Sequence, residues 1–515
     1  MKTSSSGKET VQVTCTDTSV YIHPWPGGKE VKRALTFVRK IRKEVVQEKV
    51  DKKTGEIKVK KKMVASKLPT PLFKESDSGG PAVTFTGLFE HTVESLEKLG
   101  YNVVARDERE RPPPWNPDDM TIEPRYGQME VMHMVMEEPN GIVSAPPGFG
   151  KTELCTQVIL LSPPETRFAF VTFDSAVRNE FLDRLEKTLP DIDICQVHSG
   201  TKYRSGAKVY LLLDKSLHRL QKDDVDVLIV DEVHGAGSAE CMQKLLGFVG
   251  KRRYGFSATP AGRHDNSDLG TTACCGPIRC EIPYRDAVKA KVCVPMYVYF
   301  YYHQTPDKSK IKNRFVRYKY AILLEWGRQA LLAKLAANTD PSQQTLITCK
   351  TLEQALDLTQ RLPDEFVCVA RQPSAERKEQ LEKIERERDI PKFRGIEHRI
   401  RYDVNQARKD LKSGKLLKSA ATPIFKQGVD APKLIWVVRA DAVTNSIGSV
   451  QRGGRGTRIQ DEIGKTSAGI IDIWDAGPEG EWGSLQRWLE YERYGWNVTA
   501  VDFDFDAVRP DRKKT

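Results

Sequence analysis

Short apolar runs without alternation set the pattern of this chain. Val227–Val230 is apolar throughout, and Arg167–Thr172, Lys208–Leu213 and Tyr254–Ser257 carry similar blocks. Blocks of this kind predict strands covered on both faces, as in a parallel sheet. Gly141–Ser144 is another, and after a short loop Glu153–Ile159 reads as a helix. The pattern returns beyond residue 293 in Leu346–Cys349, Phe366–Val369, Leu434–Val438 and Ile470–Ile473. Two α/β units with parallel sheets are therefore expected. The charged stretch Ser374–Lys415 inside the second reads as helices and a solvated insertion.

The N-terminal part reads differently. Leu88, Phe89, Val93, Leu96 and Leu99 recur at helical spacing, Gly100 ends that helix, and Tyr101–Ala105 follows as a strand. Val45–Val50 and Ile57–Lys60 flank Asp51–Glu56, which reads as a hairpin with a glycine-containing turn. Arg106–Pro117, charged and proline-rich, reads as a linker. The expected fold class is α/β, with two parallel-sheet domains and a small α+β accessory domain. The expected boundaries are 1–115 for the accessory domain, 118–292 and 293–496 for the two sheets, and 497–515 for a tail.

Composition adds a partner. A chain of 515 residues is too long for one core, which agrees with three domains. The net charge of +11 suits a polyanion. Lys29–Lys67 holds fifteen Lys or Arg against five Asp or Glu. Lys58, Lys60 and Lys62 of the hairpin are candidate phosphate contacts, although lysines also guard an edge strand against aggregation. Glu56-Ile57-Lys58 has the outline of a nuclease E-x-K, but the only nearby Asp lies in the same turn, and no nuclease is expected. Ten cysteines without a C-x-x-C pair, and no long apolar span, predict a reduced, soluble, cytoplasmic protein off the membrane. Cys274, Cys275, Cys280 and Cys293 are clustered, but their spacing fits no common zinc knuckle, and buried thiols are expected.

Chemistry enters with Ala145-Pro146-Pro147-Gly148-Phe149-Gly150-Lys151-Thr152, set between an apolar strand and a helix. This is a phosphate-loop context. Pro147, Gly148, Phe149 and Gly150 supply backbone that can close around an anion, Lys151 reaches β- and γ-phosphates, and the Thr152 hydroxyl ligates Mg²⁺. At the carboxyl end of Val227–Val230 stand Asp231 and Glu232, the first suited to hold Mg²⁺ and the second to deprotonate water. ATP and Mg²⁺ are the implied cofactors. Gln128, ahead of the loop, can pair with both donor and acceptor edges of adenine. Ser257 and Thr259 offer hydroxyls after another strand. Arg455 and Arg458, in Gln451–Arg458, are spaced to reach a phosphate from outside, or else belong to a flexible RNA-binding tract.

The order of these elements resembles a superfamily 2 helicase with two RecA-like domains. The resemblance rests on Gln128, Pro147–Thr152, Asp231-Glu232-Val233-His234, Ser257-Ala258-Thr259, Ala421-Thr422 with Gln427–Asp430, and Gln451–Arg458, and it covers about residues 120–475. Ser257–Asp265, Gly276–Val288 and the Gly87–Val104 region resemble the XPB-like and UvsW-like branch. The resemblance implies that His234, Ser257, Thr259 and Gln451 couple hydrolysis to the second domain. It also implies that Gly428 and Asp430 lie at the inter-domain cleft and that Arg455 and Arg458 face the γ-phosphate. The implied activity is an ATP-dependent DNA helicase or translocase, moving 3′ to 5′ on forks, junctions or R-loops. It would act as a monomer, nucleoid-associated or phage-encoded. An RNA helicase and a non-unwinding ATP-driven subunit of a DNA-processing complex stay open as alternatives. Three departures stand out, one being that the insertion 374–415 has no clear counterpart. The aromatic before Gln128 is one place off the usual spacing, and Asp214–Leu217 replaces a common Thr-containing strand contact.

Overall fold

The computed structural model describes residues 9–50, 57–76, 79–248, 250–260, 268–386, 400, 403–425, 431–443, 457, 459 and 463–508, with backbone alone over 37–69 and 382–386 and at 176, 239 and 425. The N-terminal unit contains β1 (Thr10–Cys15), β2 (Val20–His23), β3 (Thr36–Val50), β4 (Ile57–Pro71), β5 (Phe73–Lys74), β6 (Ala82–Thr84) and β7 (Asn102–Asp107). Five of these form a sheet ordered β5-β6-β2-β1-β7, with β7 parallel to β1. The expected helix is present at Phe89–Lys98 and packs Phe89 and Leu96 onto Val11, Val13 and Ile22.

The unit is seated on the next domain by close backbone contact. A Cβ on Gly87 would lie 2.2 Å from the Thr272 carbonyl oxygen and 2.7 Å from that of Ala273, so only glycine fits. Arg253 donates to the Thr86 hydroxyl at 2.8 Å, Arg279 pairs with Glu90, and Arg111 pairs with Glu138 at 2.9 Å.

Away from this seat, β3 and β4 pair, among the described residues, only with each other, in register from Thr36↔Pro71 to Val50↔Ile57. Fifteen residues per strand give an arm roughly 50 Å long at about 3.4 Å per residue. The expected hairpin is therefore longer than the apolar pattern suggested. Lys58, Lys60 and Lys62 sit opposite Lys49, Gln47 and Val45, and alternation puts all three on one face of the ribbon.

The second unit is a parallel sheet of β8 (Asn140–Ser144), β9 (Phe168–Thr172), β10 (Ile194–Val197), β11 (Val209–Leu213), β12 (Val227–Asp231), β13 (Arg252–Ser257) and β14 (Ile278–Glu281), ordered β10-β11-β9-β12-β13-β8-β14. The third contains β15 (Met296–Gln304), β16 (Gln344–Thr348), β17 (Val367–Val369), β18 (Lys418–Ala421), β19 (Leu434–Arg439), β20 (Ala468–Ala476) and β21 (Asn497–Ala500), ordered β17-β18-β16-β19-β20-β15-β21. The permutation is the same in both: third, fourth, second, fifth, sixth, first, seventh. Both sheets are parallel throughout, as the unbroken apolar runs require; β9 and β20 are buried along their whole length.

The expected tail from 497 is part of the third unit. Gly495, with φ 94°, ends the helix Glu481–Tyr494, and β21 then adds to the edge of β15. Phe505 stacks on Trp488 with ring centroids 4.0 Å apart. Four residues were too short a run to register as a strand by periodicity. Of the stretch Ser374–Lys415, the described residues include helices Ala375–Arg386 and Val404–Ser413. Asp214–Arg219 is a 3₁₀ turn. Cys274, Cys275, Cys280 and Cys293 are all buried, and among the described residues no group of three or more His, Cys, Asp or Glu is placed to hold a metal ion. No helix among the described residues is long and apolar enough to cross a membrane.

Candidate nucleotide site

Three adjacent strands, β12, β13 and β8, bring the sequence-predicted groups together at their carboxyl ends. β8 ends at Ser144, and the loop 145–150 leads into the helix Lys151–Leu161. Gly150 is the residue before that helix, with φ 96°, a conformation costly for any side-chain-bearing residue. A Cβ there would also lie 2.8 Å from Gln128 Nε2. Lys151 Nζ folds over the loop and donates to the carbonyls of Ala145 (2.9 Å) and Pro146 (3.2 Å). Thr152 follows in the first helical turn.

Gln128 is buried and engages the loop with both ends of its amide. Nε2 donates to the Phe149 carbonyl at 2.8 Å, and Oε1 accepts from the Arg125 backbone amide at 2.9 Å. Arg125 Nη2 reaches the same Phe149 carbonyl at 3.1 Å. In this structure Gln128 therefore braces the loop, whereas the sequence suggested an adenine contact. Arg125 was legible only as a neighbour of Gln128; its contact is made across twenty-four residues.

Asp231 closes β12, and Glu232 turns out of it with φ 51° and ψ 50°. A left-handed non-glycine residue at a strand end costs about 1 kcal/mol or more. That turn sets Glu232 against the end of β13. Its Oε2 accepts from Ser257 Oγ at 3.2 Å and lies 3.2 Å from His234 Nδ1. His234 Nδ1 is 3.1 Å from Ser257 Oγ, which also accepts from the Thr259 amide at 3.1 Å. Glu232, His234, Ser257 and Thr259 thus form one continuous network.

The two carboxylates are pushed apart in acidity. Burial, then the charge of Glu232, raises Asp231 to about 7. Burial pushes Glu232 upward too, but His234, Lys151 and Ser257 outweigh it and hold Glu232 below the ordinary range. One carboxyl is kept ionised beside a neighbour that a cation would be needed to ionise fully. The donor set of hydroxyl, carboxylate and lysine suits Mg²⁺ and a triphosphate: Thr152 and Asp231 would hold the ion, and Lys151 the phosphates.

The third unit reaches the loop at the Pro147 carbonyl, a contact that sequence reasoning missed and to which Cys293 Sγ also points at 3.5 Å. Thr457 Oγ1 donates to the Pro147 carbonyl at 3.1 Å, and the Val294 amide donates to the Thr457 carbonyl at 2.8 Å. Behind the loop, a cavity of about 370 Å³ lies between Ser144–Pro146, Ala258–Pro260 and the helix end Glu490–Gly495. Gly428, Asp430, Gln451, Arg455 and Arg458 fall outside the described residues, and for Lys58, Lys60 and Lys62 only the strand register is described.

The fold and this site define a nucleotide-binding protein with two RecA-like domains. The motif order resembles that of helicase superfamily 2. Residues 121–262 match the family described as "Type III restriction enzyme, res subunit". The chain is 24% identical over 364 residues to "Putative helicase 22" of Sulfolobus islandicus filamentous virus (isolate Iceland/Hveragerdi), a match covering 65% of this chain and 60% of that protein. Among solved structures it is similar in fold to the DUF1998 helicase MrfA bound to DNA (TM-score 0.50, 12% identity, 73% of this chain and 49% of that one). T4 UvsW aligns over 95% of this chain and 99% of its own at 13% identity, with a TM-score of 0.39. The chain thus spans less than two thirds of the viral relative and about half of MrfA.

Proposed function

We propose that this protein is an ATP-driven motor on DNA, a helicase or translocase that remodels forks, junctions or R-loops with 3′-to-5′ movement. The observation that carries the reading is the convergence of Lys151, Asp231, Glu232, His234 and Ser257 at three adjacent strand ends, with Thr457, from the connection between β19 and β20, touching the loop. Bound ATP and Mg²⁺ would supply the phosphoryl group and neutralise its charge. Lys151, released from its own loop carbonyls, neutralises phosphate oxygens. Glu232, held ionised, accepts the proton of the attacking water. Ser257 and His234 tie the state of that carboxylate to β13 and Thr259, which gives a path from hydrolysis to the neighbouring surface.

Thr457 supports roles for its neighbours in the chain. Arg455 and Arg458 act on the γ-phosphate across the cleft, and Gln451, Gly428 and Asp430 belong to the same face. Lys58, Lys60 and Lys62 contact the phosphate backbone from the arm. The experiment uses the whole chain alone, with labelled DNA and RNA forks and a coupled ATPase assay. DNA-stimulated hydrolysis with DNA fork separation is expected. Separation of RNA forks only would make it an RNA helicase. Stimulation without strand separation would make it a motor subunit, and no stimulation by either nucleic acid would overturn the reading.

A further inference from the structure

The shared strand order makes β15 the counterpart of β8, the strand that feeds the phosphate loop. β15 leads not into a glycine loop but into the segment Thr305–Glu325. Between 307 and 319 it carries Lys308, Lys310, Lys312, Arg314, Arg317 and Lys319 against Asp307 alone. Arg317 pairs with Glu479, and Lys319 Nζ lies 3.0 Å from Glu353. The other four cations have no carboxylate partner among the described residues.

The segment lies across the carboxyl ends of the second sheet, where open α/β sheets bind ligands. The Tyr318 hydroxyl donates to the Ala442 carbonyl at 2.9 Å, just past β19. Lys350, just past β16, sits with Nζ 4.6 Å from the Tyr318 ring centroid. Asn313 Oδ1 accepts from the amides of Phe315 (3.0 Å) and Val316 (3.2 Å), capping the short helix Arg314–Tyr318. Behind it, Ala321, Ile322 and Leu323 are buried and anchor the turn. Phe315 is 74% exposed on this fixed turn. A single exposed aromatic is ordinary on a protein surface. One held on a capped turn, beside cations that have no carboxylate partner among the described residues and at the ligand end of a sheet, matches the combination that binds single strands: phosphate charge met by Lys and Arg, bases stacked on a ring.

We infer that Lys308–Phe315 is a single-strand contact of the second domain, in which Phe315 stacks an unpaired base and Lys310, Lys312 and Arg314 meet the flanking phosphates. This rests on the motor reading above and adds where the strand is gripped. The test is equilibrium binding of the whole chain, without nucleotide, to a labelled single strand of about 20 nucleotides at three salt concentrations. Phe315→Ala should weaken binding roughly 5- to 100-fold, the usual worth of one base stacked on an aromatic. Phe315→Tyr should bind as the wild type does. Changing Lys310, Lys312 and Arg314 together to Gln should flatten the salt slope by about two units, at about 0.7 per contact on single strands. Basal ATPase should be unchanged in every variant. If the wild type binds the strand and Phe315→Ala binds equally well, this assignment fails while the motor reading stands. If the wild type binds no oligonucleotide at all, the motor reading itself fails. Loss of binding to phosphatidylserine vesicles in Phe315→Ala, with strand binding intact, would make the patch a lipid contact and overturn the assignment.

Discussion

Replacing Gln128 by alanine separates two readings of one residue. The side chain makes two hydrogen bonds, 2.8 Å to the Phe149 carbonyl and 2.9 Å from the Arg125 amide. Each neutral hydrogen bond contributes about 1 kcal/mol net. Arg125 Nη2 stays on the Phe149 carbonyl and limits the damage. The expected loss is about 1–2 kcal/mol of loop order, or about 5- to 30-fold weaker nucleotide binding. A loop brace acts on phosphates, which ATP and GTP share, so both dissociation constants should rise by the same factor. Gln128→Glu should be at least as damaging: it keeps the acceptor for Arg125 but sets a carboxylate against the Phe149 carbonyl. The assay is competition against a fluorescent nucleotide with ATP and GTP in parallel. If Gln128→Ala weakens ATP alone and erases a preference for ATP over GTP, the side chain reads the base and the brace argument is wrong.

Three further outcomes are expected of the site and the arm. Glu232→Gln should cut ATP turnover by about 10²-fold or more while ATP binding survives, because the proton acceptor is lost and Asp231 is kept; Lys151→Ala should instead weaken nucleotide binding itself, and wild-type turnover in Glu232→Gln would reassign the base. Arg455→Ala or Arg458→Ala should each lower steady-state ATPase by roughly 10³-fold, the scale of arginine-finger losses, and near-normal rates in both would return that stretch to an RNA-binding tract. Changing Lys58, Lys60 and Lys62 together to Gln should weaken duplex binding and flatten its salt slope by about two to three units, at about 0.9 per contact, with basal ATPase intact; an unaltered slope in a three-salt titration would leave the lysines as edge-strand guards.

In the two parallel sheets, local pattern was enough to expect β8, β9, β11, β12, β13, β16, β17, β19 and β20, together with the loop and carboxylate motifs, but not β10, β14, β15, β18 or β21. Val227–Val230 has to be buried on both faces because nothing in it is polar, and Gly148, Gly150 and Lys151 are recognisable because bare backbone beside a cation is the pattern that suits an anion. Contacts across long separations were not legible there. No periodicity links Gln128 to Phe149, Glu232 to Ser257, or Thr457 to Pro147, since each pair meets only after parallel strands and their crossovers have been laid side by side. The matching order of the two sheets is of the same kind: strand order is set by how crossovers pack, not by the residues of any one strand. Gly87 shows the limit most sharply, because its sequence context says only that a helix is near. It took the docked domain to place two carbonyl oxygens where a Cβ would have been.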